Sequence, residues 1–426
     1  MNILILGSGG REHALGKAIK KSQKSGKVFF SPGNAGTLLY GSNINIDYKD
    51  YDALRLFIQK NEIRVVIIGP EAPLVDGLAD RLSSDAELSH LKVLGPGGAG
   101  ARLEGSKSFA KAFMKKYKIP TAAFLEIELS NLSEGLNYIE NSEGPYVLKA
   151  DGLAAGKGVL IIQDRNEAKE QLKEMLEGKF GAASSKVVIE EFLDGVEFSV
   201  FALTDGKNFA LLPEAKDYKR VGENDTGPNT GGMGAVSPVP FFDEQLEKQV
   251  VDHIVQPTID GLKKEHIPYT GFLFFGLILC EGQAKVIEYN CRMGDPETQV
   301  VIPRLRSDLL DLIIDAIDGN LLNKTVATEG GVRVAVIAAS GGYPNDYQKG
   351  KEIFGLEKLN HDNVFHAGTQ LLGGKTLTSG GRVLAISCPG ENLEEAINNC
   401  YREMNKICFD KIYYRKDIGK DLIDKA

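Results

Sequence analysis

One pattern repeats four times near the amino terminus: a short apolar run is followed by a turn rich in glycine or proline. The run–turn pairs are Ile3–Leu6 before GSGGRE, Val28–Phe30 before SPGNAG, Val65–Ile68 before GPEAPL, and Lys92–Leu94 before GPGG. Amphipathic stretches such as His13–Lys21 lie between the runs and are typical of helices. Alternation of this kind predicts a parallel sheet wound with helices. Ligands bind such sheets beyond the carboxyl ends of the strands, where all of these turns lie.

The first turn resembles a dinucleotide-binding fingerprint but departs from it in two places. Glu12 stands at the position of the third glycine, and Ser31-Pro32-Gly33-Asn34 stands where an acidic residue would hold the ribose. We therefore interpret the turn as backbone amides arranged for a phosphate rather than for NAD. Tight turns without any ligand remain the alternative, more so for Gly95–Gly98 than for the turn that contains Glu71.

A strand and a glycine-rich loop, Val147–Val159, carry two lysines. The strand delivers Lys149, the loop carries Lys157, and a strand pattern resumes after it. The loop is not the Walker type, because it has three residues rather than four between its glycines, and Gly158 rather than serine or threonine after the lysine. Glycine lets backbone amides approach a phosphate, and lysines neutralise its charge. We favour a phosphate-binding loop over a plain hairpin connection.

Two further segments are candidates for binding. The strand Val187–Ile189 ends in acidic residues before a second strand begins, so its backbone could contact an adenine edge and Glu197 could accept from ribose hydroxyls. A solvated acidic turn is the alternative. The segment Asp225–Gly234 reads as a long loop of small and polar residues without periodicity, and such loops are commonly functional.

The segment Val286–Gln299 reads as a strand with a polar face and a core face. Side chains alternate along a strand, so Glu288, Asn290 and Arg292 should share one face, opposite Ile287, Tyr289 and Cys291. A carboxylate and a carboxamide suit a hard cation such as Mg²⁺, which takes few protein ligands and completes its shell with water and phosphate oxygens. Arg292 adds a rigid cationic group for phosphate. An ordinary polar strand face is the alternative.

Composition limits the remaining function classes. A chain of 426 residues should form two to four domains, and 42% apolar with 25% charged residues is typical of a soluble globular protein. The net charge of −8 argues against binding nucleic acid. The five cysteines form no C-x-x-C pair, so we expect neither zinc nor disulfides but reduced thiols in the cytoplasm. The longest apolar run, Gly271–Leu279, is too short to span a membrane.

Taken together, these motifs resemble the ATP-grasp ligases and, among them, the glycinamide ribonucleotide synthetase family. The segments that carry the resemblance are GSGGREHAL, PGNAGT, GPEAPLVDGLAD, LEGSK, KADGLAAGKGV, EEFLDGVE, KRVGENDTGPNTGGMGA, RMGDPETQ, GGYP, VFHAGT and GGRVL. They occur in order along the whole chain. Met293 is a departure, since the family usually has leucine or phenylalanine there, but methionine is also apolar and adaptable.

The resemblance implies a multidomain α/β and α+β fold. The expected parts are a Rossmann-like, parallel-sheet pre-ATP-grasp domain over residues 1–104, a two-lobed ATP-grasp domain over 105–328, and a small β-rich domain over 329–426. The mobile ATP-grasp lobe is expected at about 121–192. The last hundred residues show no evident chemistry, so the residues themselves support only a packing role for that domain.

The resemblance also implies a reaction: ATP phosphorylates the carboxylate of glycine, and 5-phosphoribosylamine attacks the glycyl phosphate to give glycinamide ribonucleotide, ADP and phosphate. A site of lysines, arginine and a metal face suits phosphoryl transfer, which depends on positioning and charge neutralisation. Glu288 and Asn290 are expected to hold Mg²⁺ or Mn²⁺, and Arg292 and Lys149 to act in catalysis. The other expected ATP residues are Lys107, Lys157, Glu190, Phe192, Leu193 and Glu197. The expected substrate residues are Gly9, Gly10, Asn34, Glu71, Thr230, Gly231, Gly232, Asp295 and Glu297.

We expect a cytoplasmic monomer that acts on small molecules and binds neither nucleic acid nor membranes. Two alternatives remain at this stage. A different ATP-grasp ligase of purine synthesis would keep the nucleotide residues and differ in the amino-terminal turns and the Asp225–Gly234 segment. A nucleotide-binding regulator would bind ATP without forming ADP.

Overall fold

A parallel sheet forms the amino-terminal part of the protein. In the computed structural model, which describes residues 1–153 and 158–425, its strand order is β3-β2-β1-β4-β5. The strands are β1 Asn2–Gly7, β2 Val28–Pro32, β3 Ser42–Asn43, β4 Ile63–Ile68 and β5 Lys92–Leu94. Ile5 pairs with Phe30 on one side and Ile67 on the other, and all three are buried. Continuous apolar strands are expected where helices cover both faces of a sheet. The predicted parallel sheet is confirmed.

Helices surround these strands, and α1, α3 and α5 begin at predicted turns. They are α1 Gly10–Lys20, α2 Tyr51–Lys60, α3 Glu71–Val75, α4 Leu78–Ser84, α5 Gly98–Gly105 and α6 Lys107–Tyr117. The turns after β1, β4 and β5 each lead into a helix, which places them at one edge of the sheet. Ser106 separates α5 from α6 and caps α6, since its hydroxyl accepts the amide of Phe109 at 3.1 Å.

A smaller antiparallel sheet follows, with the order β6-β9-β7-β8. Its strands are β6 Phe124–Ile127, β7 Tyr146–Ala150, β8 Val159–Ile162 and β9 Val187–Glu190, and its helices are α7 Leu132–Asn141 and α8 Arg165–Glu174. Leu148 and Ile189 pair across β7 and β9, and both are fully buried beneath the helices. The sheet lies within residues 124–190, and the mobile lobe at about 121–192 stays a prediction.

The rest of the chain is organised around one extended antiparallel sheet, ordered β16-β15-β10-β11-β14-β17-β21-β18, with β22 paired to β17. The strands of this part are β10 Val196–Thr204, β11 Phe209–Asp217, β12 Arg220–Gly222, β13 Thr226–Asn229, β14 Gly234–Ser237, β15 Gly271–Cys280, β16 Gln283–Asn290, β17 Val332–Ser340, β18 Val364–His366, β19 Thr369–Leu372, β20 Lys375–Thr378, β21 Arg382–Gly390 and β22 Ile412–Tyr413. The helices are α9 Glu244–Val250, α10 Gln256–Lys264, α11 Thr298–Val301, α12 Leu309–Ile317 and α13 Leu393–Met404. Strand β14 precedes residue 328 and β17 follows it, and the two strands pair, so the sheet crosses the predicted domain boundary. The division into three domains stays a prediction.

Local structure differs from expectation in two places. Part of the predicted loop Asp225–Gly234 is a strand, because Thr226–Asn229 pairs with Arg220–Gly222. Glycine and proline in this short strand hide the alternation that would have marked it. In β16, a bulge opposite Gly276 and Leu277 shifts the register, so Val286 is fully buried and Ile287 is only half-buried. The predicted core position of Ile287 is therefore wrong, whereas the alternation from Glu288 to Arg292 holds.

No helix among the described residues has the length and apolarity needed to cross a bilayer.

The aromatic core of the extended sheet provides a test of its packing. Phe201 on β10 is fully buried and lies edge-to-face on Phe274 of β15, with ring centroids 5.1 Å apart. We expect Phe201→Ala to lower the free energy of unfolding by about 3–5 kcal/mol, because it leaves a cavity in a packed core. Urea unfolding measures this, with Phe354→Ala as the control because Phe354 is 57% exposed. Equal effects of the two substitutions would contradict the assigned packing.

Candidate active site

Glu288 lies at the end of β16 among four cationic side chains. Burial raises the pKa of its carboxyl, but Lys219, Lys149, Lys107 and Arg292 outweigh burial and hold that pKa below its ordinary value. Glu288 is therefore ionised at neutral pH, as a ligand for a hard cation must be.

The second predicted metal ligand, Asn290, is on the same face of β16. Its Oδ1 accepts a hydrogen bond from Nη2 of Arg292 at 3.2 Å. This contact orients the carboxamide oxygen of Asn290 on the face of β16 that also carries Glu288. Among residues 1–153 and 158–425, no group of three or more His, Cys, Asp and Glu side chains is arranged to hold a metal. Glu288 and Asn290 thus fit a cation that takes few protein ligands and obtains the rest from water and phosphate.

Arg292 is held by acidic residues of the amino-terminal region. Its Nη2 lies 2.8 Å from Oε1 of Glu104, and its Nε lies 3.6 Å from Oε2 of Glu71. The other oxygen of Glu104 accepts the amide of Cys291 at 2.7 Å. These contacts fix the guanidinium next to Asn290. Glu104 was not predicted from the sequence, because a single acid within a helical pattern carries no signal of what it contacts.

Lys149 on β7 points toward Glu190 on the adjacent strand β9. Its Nζ lies 2.9 Å from Oε2 of Glu190, and the Nζ of Lys111 on α6 lies 2.9 Å from the same oxygen. All three side chains are buried, and Oε1 of Glu190 is buried without a hydrogen-bond partner in the described part of the chain. The structure thus brings two predicted residues together and adds Lys111, which the sequence analysis missed.

The glycine-rich loop begins against the first turn of α6. Lys107 donates from Nζ to the carbonyl of Gly152 at 3.3 Å, and Asp151 accepts the amide of Ser108 at 2.6 Å. Burial lowers the pKa of Lys107, and Glu288 opposes that effect. Lys107 is therefore close to both the loop and the predicted metal face. Lys157, also predicted to bind phosphate, lies outside the described residues.

The residues predicted to contact adenosine lie along one side of this charge cluster. Phe192 is 38% exposed and Leu193 is half-buried in the connection between β9 and β10. Oε2 of Glu197 lies 2.9 Å from Nζ of Lys219. Burial lowers the pKa of Lys219, but Glu197, Asp217 and Glu288 outweigh burial and hold it well above its ordinary value. Lys219 and Asp217 are further members of the site that the sequence did not reveal.

The amino terminus of α1 is capped by carboxylates. Oε2 of Glu12 accepts the amide of Gly9 at 2.6 Å, and Oδ2 of Asp295 accepts the amide of Arg11 at 3.2 Å. Glu12 fits because Gly7 has no side chain: a Cβ there would lie 2.5 Å from Cδ of Glu12. The amides of Gly9 and Arg11 therefore already have carboxylate acceptors, and the interpretation of this turn as a phosphate site stays a prediction.

A polar cavity of about 500 Å³ opens beside these caps. Its walls come from both ends of the chain: Ser8, Gly9, Pro32, Gly33, Asp295, Tyr343, Ala367, Gly368, Thr369, Gln370, Ser379, Gly380 and Arg382. Arg382 pairs with Asp295, with Nη2 and Oδ1 3.4 Å apart, and donates from Nη1 to the carbonyl of Gly231 at 2.5 Å. The amide of Gly231 donates to the Tyr343 hydroxyl at 3.0 Å. Sequence reasoning gave the carboxyl-terminal region only a packing role. The segments GGYP and GGRVL, which are part of the family resemblance, were its available signal.

The other predicted substrate residues surround this cavity in different roles. The side chain of Asn34 donates to the carbonyls of Ser8 and His366, both at 2.8 Å, and so joins the two walls. The hydroxyl of Thr230 donates to the carbonyl of Lys219 at 2.8 Å and accepts the amide of Gly232 at 3.0 Å.

Two further candidates lie deeper between the charge cluster and the cavity. Glu297 is buried, and burial together with Asp217 raises its pKa to about 8. Gly10 packs against Gln299, where a Cβ would collide with Nε2 of that side chain. The described structure thus places the predicted substrate residues around one cleft, next to the charge cluster.

Comparisons with known proteins agree along the whole chain. Family models for phosphoribosylglycinamide synthetase match residues 1–104 with the N domain, 105–298 with the ATP-grasp (A) domain and 333–421 with the C domain. The chain is 45% identical over 431 residues to the phosphoribosylamine–glycine ligase of Haemophilus influenzae, covering 100% of this chain and 99% of that protein. It is 44% identical over 421 residues to the enzyme of the same name from Clostridium acetobutylicum, covering 99% and 100%.

Solved structures show the same similarity. The crystal structure of phosphoribosylamine–glycine ligase from Thermotoga maritima superposes with a TM-score of 0.85 at 38% identity and covers 98% of this chain and 100% of that one. The biotin carboxylase domain of 2-oxoglutarate carboxylase from Hydrogenobacter thermophilus, solved in complex with MgADP, superposes with a TM-score of 0.72 and covers 97% of this chain and 91% of that one. At 15% identity, that second match shows the fold alone.

The Glu12 cap can be tested by its removal. Glu12 and Arg11 are both buried and form an ion pair, so Glu12→Ala removes the direct partner of a buried cation, and we expect it to lower the free energy of unfolding by about 3–5 kcal/mol. Glu140→Ala is the control, because Glu140 pairs with Lys169 at the surface and should change stability little. Denaturant unfolding compares the two variants. A Glu12→Ala protein as stable as the control would show that the cap contributes nothing.

Proposed function

Because the chain belongs to the phosphoribosylglycinamide synthetase family, we propose that it joins glycine to 5-phosphoribosylamine and consumes ATP in doing so. It is an ATP-dependent carbon–nitrogen ligase of purine biosynthesis. The observation that carries the proposal at the level of the site is that the cationic cluster and the cavity are linked: Arg292 of the cluster pairs with Glu71, and the Glu71 carboxyl is also affected by the charge of Asp295 in the cavity wall.

The reaction proceeds in two displacements. A carboxylate oxygen of glycine attacks the γ-phosphorus of ATP, and the bond from that phosphorus to the β–γ bridging oxygen breaks to release ADP. The amine nitrogen of phosphoribosylamine then attacks the carbonyl carbon of glycyl phosphate. The carbon–oxygen bond to phosphate breaks, inorganic phosphate leaves, and the nitrogen loses a proton as the amide forms. Both steps develop charge on phosphate oxygens, which fixed cations stabilise.

The nucleotide phosphates would be bound by the charge cluster. Lys107 and Lys149 supply cationic contacts, and Lys157 in the adjoining loop is proposed to add another. Glu288 and Asn290 would hold Mg²⁺ or Mn²⁺, which neutralises phosphate charge when bound. The guanidinium of Arg292, fixed by Glu104, would contact the transferring phosphoryl group. Support for these roles comes from the ionised state of Glu288 and from the four cations around it.

Adenosine would lie along the connection between β9 and β10. Phe192 offers an apolar surface that is partly exposed, and Leu193 lies next to it. The carboxylates of Glu190 and Glu197 offer hydrogen-bond acceptors at the two ends of this segment. Glu190 is in the interior beside Lys149, and Glu197 is beside Lys219.

The cavity would hold phosphoribosylamine and present its amine toward the charge cluster. Gly9 and Asp295 line it, and Gly10, Asn34, Glu71, Thr230, Gly231, Gly232 and Glu297 support or adjoin its walls. Arg382 and Tyr343 are additional contacts from the carboxyl-terminal region. We also propose that the protein is a cytoplasmic monomer. Its domain boundaries would lie near residues 104 and 328, and its mobile lobe would span about 121–192.

Omission of each substrate tests this function. The purified protein is given MgATP, glycine and freshly generated phosphoribosylamine, and ADP release is followed with each component left out. Release that requires both glycine and phosphoribosylamine is expected. Release only with other carboxylate–amine pairs would indicate a sister ATP-grasp ligase, and ATP binding without release would indicate a regulator.

The proposed metal face predicts a specific defect. Glu288→Gln removes the ionised ligand, and we expect a loss in kcat/KM for MgATP on the order of 10²-fold, partly recovered at high Mg²⁺, because charge neutralisation dominates phosphoryl transfer. Steady-state ADP release over a Mg²⁺ titration measures it. The control is Glu281→Gln, an exposed residue at the turn between β15 and β16. An unchanged Mg²⁺ dependence in Glu288→Gln would remove this residue from the metal site.

The cavity predicts a defect confined to one substrate. Arg382→Gln removes a cation from the cavity wall, and we expect KM for phosphoribosylamine to rise by roughly tenfold or more while KM for ATP changes little, since charged hydrogen bonds contribute about 1.5–3 kcal/mol. Arg402→Gln, on the exposed side of α13, is the control. Equal rises in both KM values would show a general structural effect instead of substrate contact.

A further inference from the structure

Lys111 is a buried lysine without an assigned role. It lies one turn after Lys107 on α6, and only 2% of it is exposed. Its Nζ lies 2.9 Å from Oε2 of Glu190 and donates to Oγ1 of Thr121 at 2.8 Å. A lysine so deeply buried requires a partner of opposite charge, and Glu190 provides it.

Lys111 is fixed where the small antiparallel sheet joins the rest of the molecule. The Thr121 hydroxyl that accepts from Lys111 donates in turn to the carbonyl of Val286 at 2.6 Å. The amide of Val286 donates to the carbonyl of Pro120 at 2.8 Å. Lys111 is thus held by α6, by β9 and, through Thr121, by β16, and its ammonium group cannot leave Glu190 without breaking this chain of contacts.

Lys149 shares the same carboxylate but is held less firmly. Besides Glu190, the contact that its Nζ makes within residues 1–153 and 158–425 is to the carbonyl of Ile287, at 3.5 Å. Two ammonium groups thus share one carboxylate, which leaves the buried group with a net charge of about +1. Burial lowers the pKa of Lys111 to about 8, with Glu190 opposing, so Lys111 remains mainly protonated at neutral pH.

We propose that Lys111 is a positioning residue for nucleotide binding: it keeps the buried Glu190 carboxylate compensated, so that Lys149 can turn its ammonium group to the nucleotide phosphates. This inference rests on the proposed contact between Lys149 and phosphate. Without Lys111, Glu190 and Lys149 would form a one-to-one pair, and binding a phosphate would require breaking that pair and leaving a buried carboxylate uncompensated.

Comparing ADP with adenosine tests the inference, because adenosine has no phosphate and the Glu190 carboxylate proposed to accept from it is kept in every variant. The full-length protein and its Lys111→Met variant are titrated with each ligand in the presence of Mg²⁺, by calorimetry for ADP and by ligand-observed NMR for adenosine. We expect ADP affinity to fall by roughly tenfold or more and adenosine affinity to change by less than about twofold. Equal losses for both ligands, or no loss for ADP, would overturn the inference and leave Lys111 a structural residue.

Three further variants make the result decisive. Lys111→Arg keeps the charge and should retain most ADP affinity. Thr121→Val removes the hydroxyl that fixes Lys111 and should weaken ADP binding more than adenosine binding. This variant also serves if Lys111→Met does not fold, and equal effects on the affinities for the two ligands would then overturn the inference.

Lys149→Met tests the premise that Lys149 contacts phosphate. If it leaves ADP affinity unchanged, the proposed role of Lys149 fails together with the inference; if it weakens ADP and Lys111→Met does not, only the inference fails.

Discussion

The charged side chains buried at the carboxyl end of β16 must compensate one another, and the parts of the chain that carry them are held together by this requirement. Glu288 stays ionised because Lys107, Lys149, Lys219 and Arg292 surround it. Lys107 is on α6, Lys149 is on β7, Lys219 lies between β11 and β12, and Arg292 follows β16. Several of them are held by other carboxylates, as Arg292 is by Glu104. Charges removed from water are stable only when paired, so the elements that carry them must stay in register. A polyphosphate with its metal ion would add charges of both signs to such a cluster, and phosphoryl transfer there would depend on positioning and charge neutralisation.

Asp295 plays the corresponding part on the substrate side, because it joins three regions of the chain. Its carboxylate accepts the Arg11 amide at the start of α1, accepts from the side chain of Gln299 at 2.8 Å, and pairs with Arg382 on β21. The extended sheet runs from β16 through β14 into β17 and β21, so the nucleotide side and the cavity side share one scaffold. A substrate in the cavity would thereby be held at a fixed position relative to a nucleotide in the charge cluster, which is what transfer between two bound molecules requires.

The sequence predicted those features that local chemistry determines. Apolar runs with glycine turns identified the parallel sheet, and alternation identified Glu288, Asn290 and Arg292 as one face. It could not predict contacts between residues far apart in the chain, such as those of Lys111 with Glu190 or of Arg382 with Asp295. Glu12 shows a different difficulty: it was recognised as a departure from the dinucleotide pattern, yet its carboxylate was not expected to occupy the amides of the turn. The bulge in β16 was also hidden, because an extra residue in one strand is set by pairing with its partner.

Oxygen labelling can show whether this cluster activates the carboxylate of glycine by phosphoryl transfer. Glycine labelled with ¹⁸O in both carboxylate oxygens is turned over with MgATP and phosphoribosylamine, and the inorganic phosphate is examined by ³¹P NMR. If glycyl phosphate forms, the oxygen that bridges carbon and phosphorus leaves with the phosphate, so each phosphate released carries one ¹⁸O atom. Phosphate without label, formed at the same rate as the product, would contradict phosphoryl transfer to the glycine carboxylate.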